Sequence, residues 1–300
     1  EGMKRFFLFI ALLPLLVLPA KADIIKWVDF DVPYESLHYA LEQDIATFEE
    51  EKHIGWIDTL ALAACRTGGK CPLPSVKQAA ADLKKDKSPE ELLGQNYKYF
   101  AYYQDAYTAV LGGFVGSFSI EKDGKKQATY GLKAFSPIAA GYGYSHCDDF
   151  GAVRSFGFKR KRLGHDLMGA QGTPIVAVEG GVVEALGWNR YGGWRIGIRS
   201  FDGKRYYYYA HLMKDTPFAP GLREGDLVQA GQLIGFMGRT GYSDKENVNN
   251  IETVHLHFGL QLVFDECQKE CNSEIWVDVY DIVRLLSSHK ASYEKTADGW

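Results

Sequence analysis

The residues in this chain best suited to chemistry are His211, in Tyr209-Ala210-His211-Leu212, and the pair in His255-Leu256-His257-Phe258, both downstream of Gly164-His165-Asp166-Leu167. Residues two apart in a strand face the same way, so His255 and His257 can reach one point in space while Leu256 turns into the core. Imidazoles and a carboxylate meeting there are the groups a zinc hydrolase uses to hold a metal and move a proton. Alone, each fragment says little. With eight histidines in 300 residues a His-x-His arises readily by chance, and its plain alternative is a half-exposed strand face. His211, which follows four tyrosines, could equally belong to an ordinary aromatic face.

The order of features over about a hundred residues adds information. Gly164-His165-Asp166-Leu167 is followed by Gly172-Thr173-Pro174-Ile175-Val176-Ala177 and Gly180-Gly181-Val182-Val183. Then come Tyr209-Ala210-His211-Leu212, Gly225-Asp226-Leu227-Val228-Gln229-Ala230-Gly231-Gln232-Leu233-Ile234-Gly235, Gly238-Arg239-Thr240-Gly241 and His255-Leu256-His257-Phe258. This succession, over residues 136 to 265, closely resembles the lysostaphin/LytM-type zinc metalloendopeptidases, which cut peptide bonds in bacterial peptidoglycan. The resemblance implies that Asp166 and His257 are zinc ligands, and that His211 and His255 are the catalytic pair that handles the reacting water. Zinc would polarise the scissile carbonyl and bring its water toward neutral pKa, so no covalent nucleophile is needed.

One position departs from that pattern. The family's first ligand is a histidine four residues before the aspartate, and here that residue is Arg162. A guanidinium is always charged and has no lone pair to give. Held about 4 Å from a divalent cation it would be repelled by about 8 kcal/mol at an effective dielectric of 20, so it must turn away. His165 is the nearest candidate for a replacement ligand, with His146 weaker. His165 neighbours Asp166 on a strand, so it could join the set only if the chain bulges there, a distortion that Gly164 would tolerate.

Two kinds of element must position these residues. Leu37, Leu41, Ile45, Phe48, Ile54, Ile57 and Leu60 recur at helical intervals across Tyr34 to Ala64, and Val76 to Leu83 and Pro89 to Val115 continue in that style, with Ser88 starting a helix. The aromatic stretch Tyr97 to Tyr107 reads as core, with glycan binding as the alternative. From Ser136 glycines multiply between short β-branched and aromatic runs, and Asp202-Gly203 marks a hairpin turn. Ile275 to Leu286 looks helical again. The fold class is therefore α+β: an all-helical part over residues 23–135, an all-β antiparallel LytM-like domain over 136–270, and a C-terminal helix and tail over 271–300. Tyr191 and Trp194, in the loop 187–194, and Asn250, just before the His-x-His strand, are candidate walls of a substrate groove.

Met3-Lys4-Arg5, the apolar run Phe6 to Leu18 and Ala20-Lys21-Ala22 have the three-part form of a secretory signal, giving an exported, cell-envelope protein with residues 1–22 as signal segment. An uncleaved anchor is the alternative, and it would be the chain's sole membrane contact. A net charge of −4 argues against nucleic acid as a partner, and the basic run Lys159 to Arg162 reads as a solvated loop or as an attraction for anionic wall polymers. Five cysteines allow short-loop disulfides Cys65–Cys71 and Cys267–Cys271, leaving Cys147 over. The expected partner is a peptidoglycan peptide and the expected cofactor is zinc. Arg162 keeps a second function class open, a degenerate scaffold or activator module that binds an envelope protein or the wall itself. A third, a glycan-binding protein, would hold the wall without metal.

Overall fold

The computed structural model describes residues 25–293 apart from 86, 123, 157, 162 and 270–272; at 121–122 and 153–161 only the backbone is described. The signal segment, Arg162 and Cys271 therefore lie outside the described residues. Among those residues no helix is long and apolar enough to cross a membrane.

The chain opens with α1 (Tyr34–Thr47), α2 (Trp56–Thr67), α3 (Leu73–Lys84), α4 (Pro89–Leu93) and α5 (Phe100–Leu111). Leu37, Ala40 and Leu41 are buried on one stripe of α1, whereas Ile45 and Phe48, which share its spacing, are 39% exposed. The helix stops there because Thr47 and Asp44 fold the next turn back: Ile54 N–H donates to Thr47 Oγ1 at 2.9 Å and Trp56 N–H to Asp44 Oδ2 at 2.8 Å. Gly68, at φ +66°, ends α2 in the left-handed conformation that glycine adopts without penalty. Ser88 and Glu91 form a reciprocal capping box on α4. In the aromatic stretch Phe100 and Tyr107 are core residues, while Tyr97 and Tyr99 are exposed.

Not all of the N-terminal part is helical. Here β1 (Val115–Lys122) and β2 (Lys125–Leu132) pair as an antiparallel hairpin. Tyr130 of this hairpin stacks on Phe48 with ring centroids 3.6 Å apart and donates to the buried Asp44 carboxylate at 2.6 Å, which fastens the hairpin to α1.

The remainder is β: β3 (Ser145–His146), β4 (Val153–Phe156), β5 (Phe158–Lys161), β6 (His165–Met168), β7 (Pro174–Val176), β8 (Gly181–Asn189), β9 (Gly193–Ser200), β10 (Arg205–Ala210), β11 (Leu227–Val228), β12 (Leu233–Phe236), β13 (His255–Leu262) and β14 (Ile275–Val277). The main sheet runs in the order β11-β8-β9-β10-β13-β6-β3, with β14 pairing beside β6 on the same edge of β13. Its pairings are antiparallel, as the α+β expectation requires. The β9–β10 turn uses Gly203, at φ +75°, while Asp202 accepts from Lys204 N–H and Ser200 Oγ. Ile275 to Val277, expected in the C-terminal helix, pair instead with Leu260 to Leu262 as a strand, and α6 (Tyr280–Leu286) begins only afterwards. The two readings compete because a short apolar run such as Ile275-Trp276-Val277 suits a helix or a strand equally until an open strand edge decides it.

Helices and sheet share one continuous apolar core. They are also joined by Arg205, 1% exposed, which bonds the Glu179 carboxylate at 2.8 Å through Nε and the carbonyls of Ala109 and Thr108, near the end of α5, at 2.8 and 3.2 Å through NH1. Cys65 and Cys71 are separate thiols. Cys71 Sγ sits 3.5 Å from both Leu60 O and Tyr107 OH, so that hydrogen-bonding replaces the expected disulfide.

Candidate active site

The register of three strands builds the site. Asp166 on β6 is directly opposite His257 on β13, and His257 is in turn opposite Ala210 at the end of β10. His211 follows immediately, and at φ +63° it leaves the strand direction; its N–H donates to Gly192 O at 2.7 Å and its carbonyl accepts from Gly238 N–H at 3.1 Å. Gly238 O in turn accepts from His255 N–H at 3.1 Å, so one glycine holds both histidine backbones. Leu256 and Leu167 point into the core with no exposure. Period-two alternation leaves Asp166, His255 and His257 on the other face.

These four side chains converge. His257 Nδ1 lies 3.0 Å from Asp166 Oδ1 and His255 Nε2 lies 3.2 Å from Asp166 Oδ2. The His211 ring centroid is 4.8 Å from that of His255 and 5.9 Å from that of His257. Second interactions fix two of the rings. His211 Nδ1 is 2.9 Å from Thr240 O and His255 Nδ1 is 2.9 Å from Thr253 O. A carbonyl can only accept, so each Nδ1 carries the hydrogen and each Nε2, in a neutral ring, presents a lone pair. His255 Nε2 is buried and finds no hydrogen-bond donor among the described residues. Burial holds His211 well below the usual histidine range, and the neighbouring His255 and His257 push in the same direction. A buried carboxylate faced by nitrogen lone pairs is a donor set that fits a divalent cation such as zinc, and it has no counterpart in an apolar core.

His165 is placed otherwise than expected of a replacement ligand. The strand does not bulge, and the His165 ring points away from Asp166, with Nδ1 3.0 Å from Cys147 O and Nε2 2.9 Å from Asp278 Oδ1. His146 packs against it, with ring centroids 5.3 Å apart, and lies with it beneath the sheet edge near Tyr280. Asp148, His165 and Asp278 bring ligand atoms within 4.8 Å of one another, with Asp148 exposed to solvent.

A groove of about 390 Å³ opens beside His211 and His257 on the outer face of β8, β9, β10 and β13, and Tyr191 lines it. Trp194 does not. Alternation turns it to the other side of β9, where Nε1 donates to Asn247 Oδ1 at 2.9 Å and the indole meets Trp188 and Phe218 edge-on. Asn250 lies at the surface outside the groove and donates to the Tyr242 carbonyl at 2.7 Å. Tyr242 itself lines the groove, as do Tyr208, Arg195 and Trp276, none of which the sequence reading selected. The signal for Arg195 and Tyr208 was present in the alternation: Ile196 and Tyr209 are core residues, so their neighbours face outward.

Residues 160–269 match peptidase family M23. L-Ala--D-Glu endopeptidase of Bacillus subtilis is 40% identical over 124 residues, which are 41% of this chain and 36% of that protein. Lysostaphin of Staphylococcus simulans is 40% identical over 88 residues, 29% of this chain and 15% of that protein. The chain thus spans about a third of the first relative and about a sixth of the second. A Ruminococcus gnavus protein described as a lytM glycyl-glycine endopeptidase shares the fold, with a TM-score of 0.54 at 24% identity over 88% of this chain and 90% of that one. Over residues 160–269 the chain carries a peptidase family M23 domain of lysostaphin/LytM type.

Proposed function

We propose that this protein hydrolyses a peptide bond in peptidoglycan outside the cytoplasm, with zinc held by Asp166 and His257 and with His211 and His255 serving the reacting water. The observation that carries the proposal is the convergence of His255 and His257 on the buried Asp166 carboxylate, with the His211 ring beside both, next to an open groove. Bound zinc would supply Lewis-acid polarisation of the substrate carbonyl and a more acidic water. The chain's own residues do the rest. His211 Nε2, its lone pair fixed by the Thr240 bond and its neutrality fixed by burial, accepts a proton from water and returns one to the leaving amine. The groove aligns an extended peptide along the outer face of β9 and β10, with Tyr191 and Tyr208 offering flat faces to it.

Catalytic zinc ordinarily has three protein ligands, and Arg162 cannot be one. Among the described residues, His255 Nε2, 3.2 Å from Asp166 Oδ2, is the nitrogen best placed to make up the set, which would leave His211 as the proton acceptor. The second reading, a metal-free scaffold or wall-binding module, rests on that same arginine.

Release of new amino groups from purified peptidoglycan by the full chain tests the proposal. Cleavage that stops with a chelator, returns with zinc and is absent from His211→Asn supports it. An intact wall that still binds the protein after metal removal would overturn hydrolysis in favour of the scaffold.

A further inference from the structure

The groove contains a cation that the mechanism does not use. Arg195 lies on β9 opposite Gly187 of β8 and lines the same groove as His211 and His257. Its NH1 is buried and has no hydrogen-bond partner among the described residues. The other charges along the groove are engaged: Glu184 accepts from Arg199 and Lys269, and Glu274 accepts from the Trp276 indole at 2.8 Å. Neither carboxylate reaches Arg195. The surroundings offer the guanidinium room, because Gly187, facing it across the β8–β9 pair, would meet nothing within 4 Å even with a side chain.

A guanidinium cannot lose its proton, and a buried N–H left without an acceptor is costly, so such a group is best accounted for by an acceptor that arrives with the ligand. A carboxylate matches the planar fork and brings the opposite charge. We propose that Arg195 binds a carboxylate of the peptide in the groove, so that the preferred substrate is an acidic wall peptide and not an uncharged one such as oligoglycine. This rests on the reading of the groove as a site for peptidoglycan peptides and specifies which of them it takes.

The test is a binding measurement on the full chain, stripped of metal so that nothing is cleaved. The probes are L-alanyl-γ-D-glutamyl-L-lysine, the same peptide with its glutamyl α-carboxylate amidated, and pentaglycine. The acidic peptide is expected to bind roughly 10- to 100-fold more tightly than its amide, the range of one charge-assisted hydrogen bond. Arg195→Gln should abolish that difference, and Arg195→Lys, which keeps the charge and loses the fork, should retain part of it. Equal binding of acid and amide, or a preference that survives Arg195→Gln, overturns the role of Arg195 while leaving the peptide-groove reading intact. Tighter binding of pentaglycine does the same. Failure of all three peptides to bind overturns both.

Discussion

His165 and Asp166 are adjacent in sequence and serve opposite faces of one strand: the Asp166 carboxylate meets His257 at 3.0 Å, and the His165 ring meets Asp278 at 2.9 Å. The first contact belongs to the groove side. The second ties β6 to the segment between β14 and α6, so that the strand carrying the carboxylate is held in position from behind. Support of this kind matters because a catalytic group misplaced by about 1 Å can lose on the order of 100-fold in rate.

His211→Asn should lower wall-peptide cleavage by roughly 10²- to 10⁴-fold, the usual contribution of a positioned acid–base group. Asparagine is the informative replacement because residue 211 is at φ +63°, a conformation asparagine tolerates and alanine resists. Cleavage within a few-fold of the parent would remove His211 from the mechanism.

Zinc content separates the two readings of Arg162. Arg162→His should raise zinc affinity by tenfold or more, since an imidazole lone pair replaces a repelled cation at roughly the 8 kcal/mol scale given above. If His255 has become the third ligand, His255→Ala should strip zinc from the parent yet leave the Arg162→His variant loaded, as read by metal analysis after dialysis. Zinc retained by the parent after His255→Ala would show that His255 is no ligand.

Gly164→Ala should disturb the site through its backbone. A Cβ at residue 164, where φ is +153°, would lie 2.5 Å from Phe258 O and 3.0 Å from His257 Nε2. Either β13 or β6 must move, at about 1–3 kcal/mol of stability, and His257 moves with β13. Chemical denaturation and zinc affinity should both fall; an unaltered denaturation midpoint would mean that the strands yield more easily than their packing implies.

Arg205→Met should cost about 3–5 kcal/mol, because it takes the guanidinium from the half-buried Glu179 carboxylate, which keeps the Tyr207 hydroxyl, and from the carbonyls of Thr108 and Ala109 near the end of α5. Urea unfolding measures it. A loss below 1 kcal/mol would show that the helices and the sheet are held together by their apolar contact alone.

Acidity should weaken the fold at His146. Burial lowers its pKa to about 4, with His165 and Arg284 adding to the shift, Asp278 opposing it and Tyr280 packing on the ring. The unfolded chain, with its ordinary pKa of about 6.5, therefore takes up the proton first. Stability from the neutral ring is complete above pH 6.5 and declines as pH falls from there toward 4. His146→Asn should make the melting temperature fall less steeply across that window, where the buried His211 also contributes, and parallel curves for the two proteins would exclude the His146 ring as a titrating group.

The sequence by itself determined which residues share a face. Alternation set His255 and His257 together with Leu256 between them, and helical spacing marked Leu37, Leu41 and Leu60, because both periods are properties of a single element. It could not determine what crosses between elements. Asp166 and His257 are 91 residues apart and meet only through the pairing of β6 with β13. The same dependence explains the misreadings. Ile275 to Val277 became a strand because β13 had an open edge, Trp194 was drawn to Phe218 and away from the groove, and His165 was turned toward Asp278, a residue 113 positions away. Cys71, six residues from Cys65, bonds to Tyr107, 36 residues away, for the same reason. Local periodicity sets the direction of a side chain relative to its own backbone, and only the packed fold decides what it meets there.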